Sequence, residues 1–227
     1  MDRAGPMVEE PSHGRTWPAG RPAQRGVTRV GRVTTGDTDD RLLREALKRV
    51  ATTLKGARVP FALTGGYASW ARGGPEPVHD VDFVLVAEDV PQAVEALGAA
   101  GLRPVHPPED WLEKVYDGDA LVDLIFCSTD RPVTRERLAR ADELRVDSVM
   151  MPVECATDIM ASKALALGEH RCDLGPLLSH ARALREQIDW PRLRRECSAW
   201  PFARAFLALC DDLGIPVTEP HAREIGA

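Results

Sequence analysis

Residues 61–86, FALTGGYASWARGGPEPVHDVDFVLV, place two adjacent glycines after an apolar run and then, thirteen residues on, two aspartates spaced i, i+2 inside another. The β-branched and aromatic residues of HDVDFVLV mark a strand. Side chains alternate faces along a strand, so Asp80 and Asp82 point the same way, about 7 Å apart from the rise of two residues. Two carboxylates so placed repel each other, and the arrangement is costly without a cation. Whatever fold the chain adopts must therefore bury this strand while keeping one of its faces accessible to a positive charge.

The rest of the chain supplies the surroundings. Leu42, Leu43, Ala46, Leu47, Val50 and Leu54 recur at helical spacing behind Asp39, with Gly56 as a stop, and predict a first helix. VPFAL at 59–63 predicts a short strand running into Gly65 and Gly66, and YASWAR a brief helix. Residues 90–100 predict a helix with Pro91 in its first turn. WLEKVYDGDALVDLIFC reads as a hairpin about Asp117-Gly118-Asp119. Beyond Asp130 a short helix and a strand, LRVDSVMM, lead into a helical stretch over 153–213, with Pro191 and Pro201 as helix starts. The fold class expected is α/β (α+β), a small mixed sheet flanked by helices. Its divisions are a tail at 1–38, a core at 39–152 and a helical C-terminal half at 153–227.

The tail, with six Gly, four Pro and no Leu, Ile or Phe, is expected to be disordered, because it cannot bury enough apolar area to offset its ordering entropy. The whole chain has 227 residues, 44% of them hydrophobic, enough for a substantial core. A net charge of -6 argues against coating nucleic acid by bulk electrostatics. Five widely spaced cysteines with no CxxC fit reduced thiols in the cytoplasm. No window approaches a membrane span, and the N-terminus lacks the apolar segment of a secretory signal.

Asp123, in ALVDLIF, is a third carboxylate embedded among apolar neighbours. Three acids on adjacent strands offer hard oxygen ligands suited to Mg²⁺. Gly65 and Gly66 open a helix directly after a strand, where exposed N–H groups and the helix dipole favour a phosphate, and Ser69 stands one turn on. A phosphate cradle beside metal carboxylates has a nucleoside triphosphate as its common ligand. Tyr67 is placed either to stack on a base or to anchor the helix. Arg192, Arg194, Arg195 and Arg204 around Trp190 and Trp200 read as an RNA-binding surface or as a solvated helix face.

Gly65-Gly66, thirteen residues, Asp80-Val81-Asp82-Phe83 and a later Asp123 together resemble the signature of the DNA polymerase β-like nucleotidyltransferases. The resemblance covers about residues 59–127. It implies a mixed sheet of five strands or fewer and transfer of a nucleoside monophosphate from an NTP, such as ATP, to a hydroxyl. Asp80, Asp82 and Asp123 would be the catalytic residues and the ligands of two Mg²⁺ ions, with Asp123 also activating the attacking hydroxyl. Gly65, Gly66 and Ser69 would bind the triphosphate.

The segment DIMASKALALGEHRCDLGPLLSHARAL is similar to one in bacterial abortive-infection and toxin–antitoxin nucleotidyltransferases. That likeness implies Lys163 as a phosphate ligand, Asp173 as an acid near the nucleotide, with Arg171 two residues before it, and a toxin–antitoxin partner; read from the residues alone, Lys163 and Asp173 are equally an exposed lysine and an N-cap aspartate. His79 departs from the pattern, standing where Ser or Thr is common. A small molecule, tRNA or a protein hydroxyl all stay open as acceptor. So does a non-catalytic nucleotide- or partner-binding module with the same fold.

Overall fold

The computed structural model describes residues 35–77, 80–129 and 131–216; of residues 35–39 it describes only the backbone. The tail expected at 1–38 thus lies outside the described residues up to residue 34, and His79 lies outside them as well.

Helix α1 (Thr35–Gly56) begins four residues before Asp39. Its stripe of Ala46, Leu47, Val50, Ala51 and Leu54 is fully buried, while Leu42, which also falls at helical spacing, is 43% exposed because it lies past the edge of the sheet-facing side. Strand β1 (Ala62–Thr64) runs into α2 (Gly65–Ala71), which opens on the glycine pair itself. Next come β2 (Val81–Val84), α3 (Val90–Ala99), β3 (Arg103–Val105), and the hairpin of β4 (Leu112–Asp117) and β5 (Ala120–Ile125). A short ribbon, β6 (Cys127–Ser128) and β7 (Arg131–Pro132), precedes α4 (Arg135–Leu138). Strands β8 (Asp142–Val146) and β9 (Val149–Val153) then lead to four helices, α5 (Ala156–Leu165), α6 (Leu174–Leu184), α7 (Trp190–Cys197) and α8 (Pro201–Asp212). Pro191 and Pro201 do stand in the first turns of α7 and α8.

The sheet is larger than expected. Seven strands, in the order β3-β4-β5-β2-β1-β9-β8, replace the five or fewer that the family resemblance implies. The difference has two sources. Arg103–Val105 adds an edge strand through its antiparallel pairing with β4. LRVDSVMM is not one strand but the middle of a hairpin, because Asp147 and Ser148 take φ of 42° and 74°. Two successive left-handed residues make the tight turn that matches strand twist, and no glycine announces it.

Alternation divides the sheet into two faces. Leu63, Val81, Phe83, Val122 and Leu124 belong to the main core with the buried stripe of α1. Thr64, Asp82, Val84, Asp123 and Ile125, each offset by one residue, therefore face the other way. A second core forms among α5, α6, α7 and α8 around Met160, Leu184, Trp190, Leu193 and Phe206. No helix of the described residues is long and apolar enough to cross a membrane.

Candidate active site

Strands β2 and β5 run parallel, with Asp82 directly opposite Asp123. Asp80, just before β2, shares their face. One carboxylate oxygen from each of the three lies within 4.8 Å of the others, the only such cluster of possible metal ligands among the described residues. Burial, then the negative charges of Asp80 and Asp123, push the Asp82 carboxyl up to about 7, against the pull of Lys163 and Lys114. Asp123 is 8% exposed, and its carboxyl is raised mainly by burial. Lys114 Nζ donates to Asp123 Oδ1 at 3.2 Å and partly offsets that rise. Three converging carboxylates with too little positive charge around them, all hard oxygen donors, suit a divalent cation such as Mg²⁺.

Gly65 makes the convergence possible. Its φ is +66°, the left-handed region, and a Cβ there would overlap Asp82 Oδ2 and stand 2.8 Å from Asp82 Cγ. Conformation and space both require glycine. Gly66 packs closely on Pro77, with a Cβ meeting the proline side chain at 3.2 Å.

A cleft of about 450 Å³ lies over this face, bordered by Gly65, Gly66, Asp80, Asp82, Lys163, Arg171 and His180. Its character changes along the strands. Thr64 pairs with Asp82 in antiparallel register, so Gly65 and Gly66 flank the residues preceding Asp82. Val84 and Ile125, paired with each other, continue the same face beyond the acids, and Trp111, 41% exposed, borders the cleft at that end. One end is thus glycine backbone, the other apolar and aromatic, and Lys163 and Arg171 add positive charge to the lining. Burial lowers the Lys163 pKa, while Asp82 and Asp80 act to hold it up.

The structure brings together Gly65, Gly66, Asp80, Asp82, Asp123 and Lys163. It does not bring Ser69 or Asp173 to the cleft. Ser69 is fully buried and its hydroxyl meets His180 Nδ1 at 2.6 Å. Asp173 is the N-cap of α6, accepting from Gly175 N at 3.1 Å. Tyr67 is 1% exposed and anchors α2 in the core, so it is not placed to stack on a base. The arginines near the tryptophans are largely committed: Arg192 to Asp158 and Glu196, Arg194 to Asp211, and Arg204 to the Ser198 carbonyl.

Lys114, Glu154, Arg137 and His180 were not singled out from the sequence. Only Lys114 had a usable signal: counting back from the Gly118-Asp119 turn pairs Lys114 with Asp123, as the hairpin register shows. Glu154, fully buried, accepts from Thr64 Oγ1 at 2.5 Å and from Arg137 Nε at 2.5 Å. The pair ties β1 to α4 beneath the cleft.

Residues 33–211 match the family described as uncharacterised nucleotidyltransferase. The chain belongs to that nucleotidyltransferase family. It is a transferase, as the resemblance stated from the sequence implies. No curated protein matches the sequence. Among solved structures, the chain is similar to a solution structure of the antibiotic-resistance factor ANT(2'')-Ia, at 15% identity and a TM-score of 0.48, over 79% of this chain and 95% of that one. It is also similar to the lincosamide antibiotic adenylyltransferase LnuA in its lincomycin-bound form, at 11% identity and 0.45, over 60% and 92%. An antigenic nucleotidyltransferase-like protein from Paracoccidioides brasiliensis shares 15% identity at 0.45, over 74% and 93%.

Proposed function

We propose that this chain transfers a nucleoside monophosphate from a nucleoside triphosphate to a hydroxyl acceptor and releases pyrophosphate. The observation that carries the reading is the approach of the Asp80, Asp82 and Asp123 carboxylates to within 4.8 Å on one face of β2 and β5, beside a glycine turn. These three residues would hold two Mg²⁺ ions. Bound there, Mg²⁺ supplies Lewis-acid polarisation of the α-phosphate and favours the ionised form of the acceptor hydroxyl.

The chain's own groups do the rest. Backbone N–H groups at the start of α2, with Lys163 and Arg171, receive the anionic triphosphate at the glycine end of the cleft. Val84, Ile125 and Trp111 receive uncharged parts of the substrates at the other. The acceptor oxygen bonds to the α-phosphorus in line with the bridging oxygen, whose bond to that phosphorus breaks, and pyrophosphate leaves with the electron pair. The hydroxyl proton passes to the carboxylate of Asp123, which the register of β2 and β5 sets opposite Asp82.

Asp82→Asn is the decisive variant, because it removes one charge from the cluster while keeping the side-chain shape. With an NTP labelled at the α-phosphate and a cell extract as acceptor source, wild type should label RNA, protein or small molecules, and the fraction labelled names the acceptor class. Asp82→Asn should label none while melting no lower than wild type. Binding of Mg²⁺ and a non-hydrolysable NTP without any labelling by wild type would instead indicate a nucleotide-binding module that lacks the chemistry.

A further inference from the structure

The hydroxyl of Ser69 has a restricted set of options. Ser69 lies in α2, wholly buried, under the turn at Gly74, where a Cβ would overlap Ser69 Oγ and stand 2.7 Å from the Ser69 carbonyl oxygen. Among the described residues that hydroxyl has one hydrogen-bond partner, Nδ1 of His180 at 2.6 Å. With no solvent at Oγ, its proton goes to the Nδ1 lone pair, and a neutral imidazole accepting at Nδ1 carries its own proton on Nε2. His180 is half-buried on α6 and borders the same cleft as Lys163, Gly65 and Gly66; with Nδ1 turned to Ser69, Nε2 is the ring nitrogen left to serve a ligand there.

We propose that His180 is a phosphate ligand of the nucleoside triphosphate, donating from Nε2–H at the glycine end of the cleft, and that Ser69 is the positioning residue that fixes this tautomer. The inference rests on the nucleotidyl-transfer reading above and adds to it a ligand from a third helix. Lys163 comes from α5, His180 from α6, and the glycine N–H groups from α2. Burial and the neighbouring Lys163 push the His180 pKa down to about 4, so the ring is neutral at physiological pH. A neutral donor can stand beside Lys163 without the repulsion a second cation would bring, and still offers an N–H to an anionic oxygen. Ser69, anticipated as a direct triphosphate contact, would then act through the imidazole.

The test is calorimetric titration of the full chain with Mg²⁺ and a non-hydrolysable NTP, repeated with the matching nucleoside. Loss of one hydrogen bond to a charged acceptor predicts that His180→Leu weakens NTP binding by roughly 10- to 100-fold and leaves nucleoside binding unchanged. His180→Gln puts an amide N–H close to where Nε2–H stood and should recover most of the loss. Ser69→Ala should fall between them, and ¹⁵N spectra of the imidazole should show Nε2–H in wild type and a mixture of tautomers in Ser69→Ala. Wild-type NTP affinity in His180→Leu overturns the inference alone. So does an equal loss of NTP and nucleoside binding, or a wild-type ring protonated at Nδ1. A wild-type chain that binds no Mg²⁺-NTP overturns the nucleotidyl-transfer reading and this inference with it.

Discussion

Replacing Gly65 by alanine tests the local geometry of the site with a single methyl group. The φ of +66° at this position costs an L-residue about 1–2 kcal/mol relative to glycine. For a domain of this size each kcal/mol lowers the melting temperature by about 2–4 °C, so the backbone cost alone predicts a fall of about 2–8 °C. The new Cβ also overlaps Asp82 Oδ2 and reaches within 2.8 Å of Cγ. The carboxylate must rotate away, and the cluster loses the convergence of its three oxygens. Divalent-cation affinity should drop by at least about tenfold, the equivalent of about 1.4 kcal/mol. Gly74→Ala is a useful contrast, since its Cβ would strike Ser69 and no carboxylate; it should cost stability and leave cation affinity intact. Calorimetric Mn²⁺ titration together with thermal melts reads both quantities. A Gly65→Ala protein that binds Mn²⁺ like wild type would refute the claim that Gly65 is required to admit Asp82.

Three further outcomes are expected. The Asp82 carboxyl is raised to about 7 from 3.8, so the folded state binds this proton more tightly than the unfolded chain does. Its contribution to stability is complete below pH about 4 and lost as pH rises through about 7. Metal-free wild type should therefore lose melting temperature between pH 5 and 8 relative to Asp82→Asn, and saturating Mg²⁺ should restore it at pH 8. Glu154→Ala leaves the largely buried Arg137 without its anion and should cost about 3–5 kcal/mol by urea denaturation, with a double change to Glu154→Leu and Arg137→Met recovering most of it. Ser148→Gly, at a φ of 74° in the β8–β9 turn, should raise stability by about 1 kcal/mol on the same assay.

What could be read from the sequence was local. Asp80 and Asp82 are two residues apart, Gly65-Gly66 sits directly between strand and helix, and Asp123 interrupts an apolar strand. Each is visible in a window shorter than ten residues, and the pairing of β2 with β5 only had to bring the windows together. The hairpin of β4 and β5 was legible from Gly118, whereas the turn at Asp147-Ser148 was not, because its left-handed residues carry no glycine. Glu154 and Arg137 are seventeen residues apart and join through a tertiary contact without local periodicity. His180 reaches Ser69 across 111 residues of chain, and nothing in LLSHARAL distinguishes it from a helix-surface histidine. The arginines beside Trp190 and Trp200 left two readings open, an RNA surface or a solvated helix face, and only the tertiary ion pairs to Asp158, Glu196 and Asp211 favour the second.

Whether this site moves a nucleoside monophosphate is decided by the positions of two labels. Parallel reactions with NTP labelled at the α- or the γ-phosphate, followed by separation of acceptor, pyrophosphate and free phosphate, report which bond breaks. Nucleotidyl transfer puts α-label in the acceptor and γ-label in pyrophosphate in equal amounts, with both absent for Asp82→Asn and for Asp123→Asn. Label from the γ-phosphate in the acceptor, or release of free phosphate with no labelled acceptor, would contradict it.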